Sequence, residues 1–173
     1  MGIRKICPQC GSNTVSKILY GLIDSTAFPI LQCNQCKYEW GGRRKQIHRS
    51  NLSRFKASIG GHFGPCYEVS IDMKNSTLSY SQIEDRCYKT NDLKQTKLTE
   101  KQLEKLLHLL DYSDFIDWKE RYSDTTILDG THWEVEVELT DGSQIVKSGS
   151  NSYPGKWRYY CEKVSELVGD YFK

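Results

Sequence analysis

The chain has 173 residues, enough for one ordinary domain and one small module that needs a metal ion or a disulfide to be stable. Hydrophobic residues make up 38% and charged residues 27% of it, which is typical of folded proteins and excludes a disordered chain. No apolar run approaches the roughly 20 residues that span a bilayer, and the first six residues lack the apolar segment of a secretory signal. We therefore expect a cytoplasmic protein.

The net charge of +2 hides an asymmetry along the chain. Residues 1–56 hold ten Lys or Arg and two acidic residues, a net charge of +8, whereas the remainder holds 14 basic and 20 acidic residues, a net charge of −6. A basic segment next to an acidic domain is typical of proteins that contact a polyanion. The alternative is that the two opposite charges bind each other within the chain.

Four of the seven cysteines form two Cys-x-x-Cys pairs, Cys7 with Cys10 and Cys33 with Cys36. Each pair fits the turn from which two thiolates reach one tetrahedral zinc ion, so the four residues predict a structural site for one zinc. A thioredoxin-like redox motif needs a surrounding βαβ unit, which this short segment lacks. The remaining cysteines stand singly and are expected to be small buried apolar residues; they are Cys66, Cys87 and Cys161.

The sequence around the two pairs predicts a three-stranded ribbon, with strands over residues 15–20, 28–32 and 38–40. Gly11 follows the first pair and suits a left-handed backbone, while Lys37 takes the same place after the second pair. We predict a zinc ribbon over residues 1–41, a basic linker over 42–54 and a second domain over 55–173.

The linker carries five of the ten Lys or Arg residues of the first segment. Its basic residues, together with the aromatic ring of Trp40, are candidates for binding nucleic acid or a protein partner: Arg43, Arg44, Lys45, Arg49 and Arg54. A solvated connector without a partner explains the same run of charges equally well.

The second domain begins with alternating apolar and polar residues that predict strands over 55–59, 66–73 and 76–81. Thr99 then begins a helix over residues 100–110, because it forms a capping-box pattern with Gln102. A second short helix is predicted over residues 113–121, in which Phe115 and Trp118 face the same side.

The clearest strand covers residues 132–139, with apolar residues on one face and three glutamates on the other. The Asp141-Gly142 turn returns the chain into a strand over residues 143–147, and the last helix begins near Pro154. The order βββ-α-ββ-α predicts an α+β domain, an antiparallel sheet covered by helices on one face.

Several of these motifs together resemble a family of uncharacterised bacterial proteins that join a four-cysteine zinc ribbon to a small α+β domain. The likeness covers nearly the whole chain: Cys-Pro-x-Cys-Gly-Ser, residues 18–22, the second pair with Trp40, residues 60–64, residues 129–133, and residues 151–154 with Trp157. It implies the architecture, a bacterial cytoplasmic setting and the zinc site, and it assigns no catalytic residue. The loop between the cysteine pairs is shorter than in that family.

A possible ligand rim lies in the loops of the second domain, and its members are His62, Asp129, His132, Asn151 and Tyr153. If they meet, a histidine beside an aspartate could support acid/base chemistry or a second metal. Turn formation explains each of them separately, and the glycines of residues 60–64 lack the lysine of a phosphate-binding loop.

The sequence therefore favours a non-enzymatic zinc-binding protein whose basic ribbon and linker contact nucleic acid or a protein partner. Two alternatives remain open. One is a small hydrolase or ligand-binding enzyme that uses the rim. The other is a protein-interaction or regulatory factor whose two parts bind each other.

Overall fold

The structure is a computed structural model, and it describes residues 6–23, 26–41, 47–61, 64–83, 93–126 and 129–172. For residues 18–23, 26–30 and 41 it describes the backbone alone. Within these ranges, no helix combines the length and the apolar character needed to cross a membrane.

The N-terminal part is a small antiparallel sheet in the order β1-β2-β3. Its strands are β1 (Val15–Ile23), β2 (Thr26–Cys33) and β3 (Glu39–Gly41). Leu31 of β2 pairs with Trp40 of β3, and both side chains pack with Cys7 and Cys33 in a core of their own. This core is too small to fold a module by itself, which agrees with the prediction that a metal ion holds it.

The second part contains a seven-stranded sheet in the order β7-β6-β5-β4-β9-β10-β8. All neighbouring strands are antiparallel except β10 and β8, which are parallel. The strands are β4 (Leu52–Gly61), β5 (Cys66–Asp72), β6 (Thr77–Ile83), β7 (Lys94–Lys97), β8 (Arg121–Ser123), β9 (Thr131–Leu139) and β10 (Gln144–Ser150).

One face of this sheet is apolar because the strand register brings the alternating apolar residues together. Ala57 of β4 pairs with Val69 of β5 and with Val135 of β9, and all three side chains are buried. The polar residues that alternate with them line the opposite face, since successive side chains of a strand point to opposite sides. That opposite surface is called the open face below.

Two helices cover the apolar face. Helix α1 (Glu100–Tyr112) begins at the capping box that the sequence predicts, because the Thr99 hydroxyl accepts a bond from the Gln102 amide and the Gln102 side-chain oxygen accepts one from the Thr99 amide. Helix α2 (Trp157–Val168) ends at Gly169, whose φ of 70° suits glycine. The buried side chains of both helices join one core with the sheet. The predicted α+β class, with a separate ribbon sheet, is confirmed.

The structure corrects the prediction of a helix over residues 113–121. Asp114 has a left-handed φ of 60°, which ends helical hydrogen bonding, and only a 3₁₀ turn over Phe115–Asp117 follows. The chain then enters β8. The sequence analysis also missed β7 and β8, and β4 begins at Leu52, three residues earlier than predicted. Strands β7 and β8 have only four and three residues, too few for a period-two pattern to be read.

Candidate metal centre

The two cysteine pairs lie on two turns with the same backbone hydrogen bonds. In the first turn the Gly11 amide donates to the Cys7 carbonyl and the Cys7 amide donates to the Ser12 carbonyl, over 2.9 and 2.8 Å. In the second, the Lys37 amide donates to the Cys33 carbonyl and the Cys33 amide to the Tyr38 carbonyl, over the same two distances. The repeated geometry turns both pairs of thiols toward one point.

The four sulfur atoms lie within 4.8 Å of one another. The Sγ atoms of Cys7 and Cys36 are 3.5 Å apart, and those of Cys10 and Cys33 are 3.6 Å apart. A tetrahedral ion with metal–sulfur bonds of about 2.3 Å separates its ligands by about 3.8 Å. The cluster therefore fits one four-coordinate metal ion, and the structure brings together all four residues that the sequence identifies.

Burial and hydrogen bonds give the thiols different acidities. Burial raises the pKa of Cys7 and of Cys10. Burial would raise the pKa of Cys33 as well, but bonds from the backbone amides of Cys36 and Gln35 and from neighbouring thiols lower it to about 6. A metal ion binds thiolates, so its binding to this cluster releases protons.

Both turns need a left-handed residue directly after the second cysteine. Gly11 has a φ of 73° and Lys37 has a φ of 62°. The sequence analysis identified both positions. Glycine adopts this conformation freely, whereas a lysine there is strained by its Cβ atom.

The first turn packs on the second domain beside the start of α2. The Gly155 amide lies 3.5 Å from the Pro8 carbonyl oxygen. The pKa of Tyr122 in β8 is raised to about 12 by burial first and also by the Cys7, Cys36 and Cys10 thiols, although the bond from the Lys119 amide lowers it. The four-cysteine cluster therefore lies at the contact between the two parts of the chain.

The basic linker is described only in part. Residues 43–45, with Arg43, Arg44 and Lys45, lie outside the described residues. The guanidinium group of Arg49 bonds both carboxylate oxygens of Glu100, and Arg54 lies 3.9 Å from Glu138. Trp40 is 4% exposed, because its ring packs in the ribbon core. The partner-binding role of these residues stays a prediction.

The possible ligand rim is divided by the structure. His62 lies outside the described residues, and Asp129 is exposed in the loop before β9. Asn151 has a structural contact, since its side-chain oxygen accepts a 2.8 Å hydrogen bond from the Thr131 amide at the start of β9. Tyr153 stacks on Trp157 with ring centroids 5.5 Å apart. Among the described members of the rim, His132 alone lines a cleft on the open face, where it pairs with Gly60 of β4.

This cleft has a volume of 620 Å³ and crosses strands β6, β5, β4, β9, β10 and β8. The sequence analysis did not identify it. Its lining comes from six strands, at positions that only the register of the sheet brings together; its polar members include Ser58, Cys66, Glu68, Arg121, Glu134 and Ser148. The alternating pattern of β9 predicted a polar face for that strand, but it did not predict which residues of the neighbouring strands lie beside it.

A comparison of the chain with protein-family models found no match, and a comparison with curated proteins found none either. The four-cysteine cluster agrees with the architecture of the bacterial ribbon proteins that the sequence resembles. Membership of that family stays a prediction.

Proposed function

We propose that this protein is a non-enzymatic zinc-binding protein in which one structural zinc ion folds the N-terminal ribbon. The observation that carries the proposal is the cluster of four thiols within 4.8 Å. Four thiolates complete a tetrahedral shell and leave no position for water or substrate, so the ion contributes folding energy and not catalysis.

Metal analysis of the purified protein tests this proposal. We expect one zinc per chain by elemental analysis, and Cys10→Ser to lose most of it. Cys66→Ser is the matched control, because Cys66 lies in the second domain, and it keeps one zinc per chain. Iron as the bound metal, or zinc retained equally by both variants, contradicts the proposal.

We further propose that the ribbon and the basic linker bind nucleic acid. The charge distribution supports this: residues 1–56 carry a net charge of +8. Arg49 and Arg54 have side chains 46% and 59% exposed although each pairs with a glutamate, so both remain accessible to a phosphate. The open face of the second domain carries Arg54 beside Glu138, but it also carries Glu134 and Glu136, whose charges repel phosphates. The proposed contact is therefore made mainly by the ribbon and the linker.

Binding to single- and double-stranded DNA and RNA across a salt series tests the proposed nucleic-acid contact. We expect affinity to fall steeply with salt, and the triple variant Arg43→Gln, Arg44→Gln, Lys45→Gln to bind more weakly with a shallower salt dependence. The matched control removes the same charge from three exposed lysines of the second domain, as Lys74→Gln, Lys101→Gln, Lys119→Gln, and binds like the unmodified protein.

Absence of binding at low salt would contradict nucleic-acid contact and favour a protein partner. Equal effects of the two triple variants would show that net charge alone, and not the linker, is responsible.

One observation favours the alternative of a ligand-binding protein or enzyme. Gly60 and His132 are register partners, so the glycine-rich end of β4 and the start of β9 meet at the cleft. A general acid or base must come within hydrogen-bond reach of its substrate, and His132 lines the cleft in which a substrate would bind.

A further inference from the structure

The cleft on the open face has a floor of small residues. Ser58 and Gly60 of β4 and Ser148 and Ser150 of β10 lie on either side of β9. The Cys66 thiol fills the space above Gly60, since a Cβ atom on residue 60 would lie 2.3 Å from the Cys66 Sγ. The cleft volume of 620 Å³ is within the range of small-molecule sites, roughly 300–1,000 Å³.

Two opposite charges face each other across this floor. Ser148 pairs with Glu134 on one side and with Arg121 on the other. Two strand spacings separate Glu134 from Arg121, which is about 10 Å between their backbones. Both side chains are exposed, and their charged groups form no ion pair with any residue in the part of the chain that the structure describes.

The neighbouring charges of the open face behave differently. Arg54 lies 3.9 Å from Glu138, and Lys56 lies 3.6 Å from Glu68. Carboxylates and cations one strand apart on this surface therefore pair with each other. Glu134 and Arg121 lie on either side of β10 and form no such pair in the structure, so both are available to a ligand that carries both charges.

We propose that the cleft binds a small zwitterionic molecule of the amino-acid or short-peptide class. Its ammonium group bonds the Glu134 carboxylate, its carboxylate group bonds the Arg121 guanidinium, and its backbone lies over Ser148. Charge-assisted bonds at both ends give orientation as well as affinity. A ligand with several phosphates fits less well, because the described lining offers one arginine, Arg121, beside the carboxylates of Glu68 and Glu134.

Calorimetric titration of the metal-loaded protein with the free α-amino acids, Gly-Gly and Gly-Gly-Gly tests the proposal. We expect at least one of them to bind at one per chain. Its N-acetylated and C-amidated forms, which each lack one charge, bind roughly ten- to hundredfold more weakly, and so do Glu134→Gln and Arg121→Gln.

The matched controls are Glu138→Gln and Arg54→Gln, which change the same residue types on the same face outside the cleft. Both keep the affinity of the unmodified protein. The proposal is overturned if no zwitterion of the panel binds at millimolar concentration, or if Glu134→Gln and Arg121→Gln bind as well as the controls. Neither result bears on zinc content or nucleic-acid binding, so the two proposals fail separately.

Discussion

Gly155, just before α2, lies in backbone contact with Gly11 of the first cysteine turn. A Cβ atom on Gly155 would lie 2.7 Å from the Gly11 Cα, 2.8 Å from its nitrogen and 2.9 Å from the Cys7 carbonyl oxygen. All three are backbone atoms, which cannot rotate away as the end of a side chain can. The close approach of these two glycines joins the metal turn to the second domain.

Gly155→Ala should therefore separate the ribbon from the second domain. We expect a free energy of unfolding lower by about 1–3 kcal/mol, the usual cost of overpacking, and faster release of zinc to a chelator. Gly169→Ala is the control: it strains a left-handed glycine with nothing within 4 Å, at the far end of α2. It should lower stability without speeding zinc release, and equal release from both variants would contradict this role of Gly155.

Lys37→Gly should stabilise the second cysteine turn. The φ of Lys37 is 62°, a conformation that costs an L residue about 1 kcal/mol and glycine almost nothing. The comparison is with Lys37→Ala, which removes the same charge near the thiolates but keeps the Cβ atom. In urea denaturation of the metal-loaded protein, the glycine variant should exceed the alanine variant by about 1 kcal/mol. A less stable glycine variant would show that the turn relaxes around the side chain.

The ion pair of Asp114 and Lys156 should be a major stability determinant of the second domain. The Asp114 side chain is fully buried and that of Lys156 is 12% exposed, and the Lys156 ammonium also donates to the Tyr112 carbonyl oxygen over 2.8 Å. Lys156→Met leaves a buried carboxylate without its cation, so we expect the free energy of unfolding to fall by about 3–5 kcal/mol.

Asp114→Asn in the same chain tests the electrostatic cause. Asparagine tolerates the left-handed φ of 60° at this position and carries no charge. The double variant should therefore be more stable in urea than Lys156→Met alone. If the two substitutions simply add, loss of packing and not an unpaired charge explains the effect.

Tyr80 should make unfolding depend on pH in the alkaline range. Burial first, then the charges of Asp170 and Tyr67, raise its pKa from the ordinary value of 10 to about 12, and its hydroxyl donates to the Tyr171 carbonyl oxygen over 2.5 Å. Because the folded pKa lies above the unfolded one, this stabilisation is complete below pH 10 and is lost as pH rises from about 10 to 12.

Denaturation midpoints across that pH range measure the effect. Tyr80→Phe should be less stable at neutral pH and should lose less stability between pH 10 and 12. Tyr153→Phe removes a tyrosine that is 39% exposed and should keep the full alkaline loss. Identical pH profiles for the two variants would contradict the assignment to Tyr80.

Removal of the metal ion should unfold the ribbon and leave the second domain folded. Trp40 is 4% exposed in a core that contains two of the four cysteines, whereas Trp118 and Trp133 lie in the core of the second domain. A chelator should therefore red-shift part of the tryptophan fluorescence and leave the helical circular dichroism largely unchanged. Trp40→Phe is the control, and it should abolish most of the red shift.

The sequence predicted correctly those features that depend on residues close together in the chain. The cysteine spacing gave the metal cluster, the Thr99 capping box gave the start of α1, and the alternation of β9 gave its buried face. The helix predicted over 113–121 failed because tertiary contacts override it: Asp114 is left-handed and bonds Lys156, and the Trp118 indole donates to the Ser113 carbonyl oxygen. No short-range pattern indicates that Lys156, 42 residues away, will reach this site.

By itself, the sequence determined the fold class and the four-cysteine cluster, because thiol spacing and apolar periodicity are properties of neighbouring residues. The tertiary structure alone decided which polar residues share the open face. Glu134, Ser148 and Arg121 come from three strands, and only the pairing register sets them in one row. A register shift by one residue would turn each strand's side chains to the other face, so the cleft is a property of the assembled sheet.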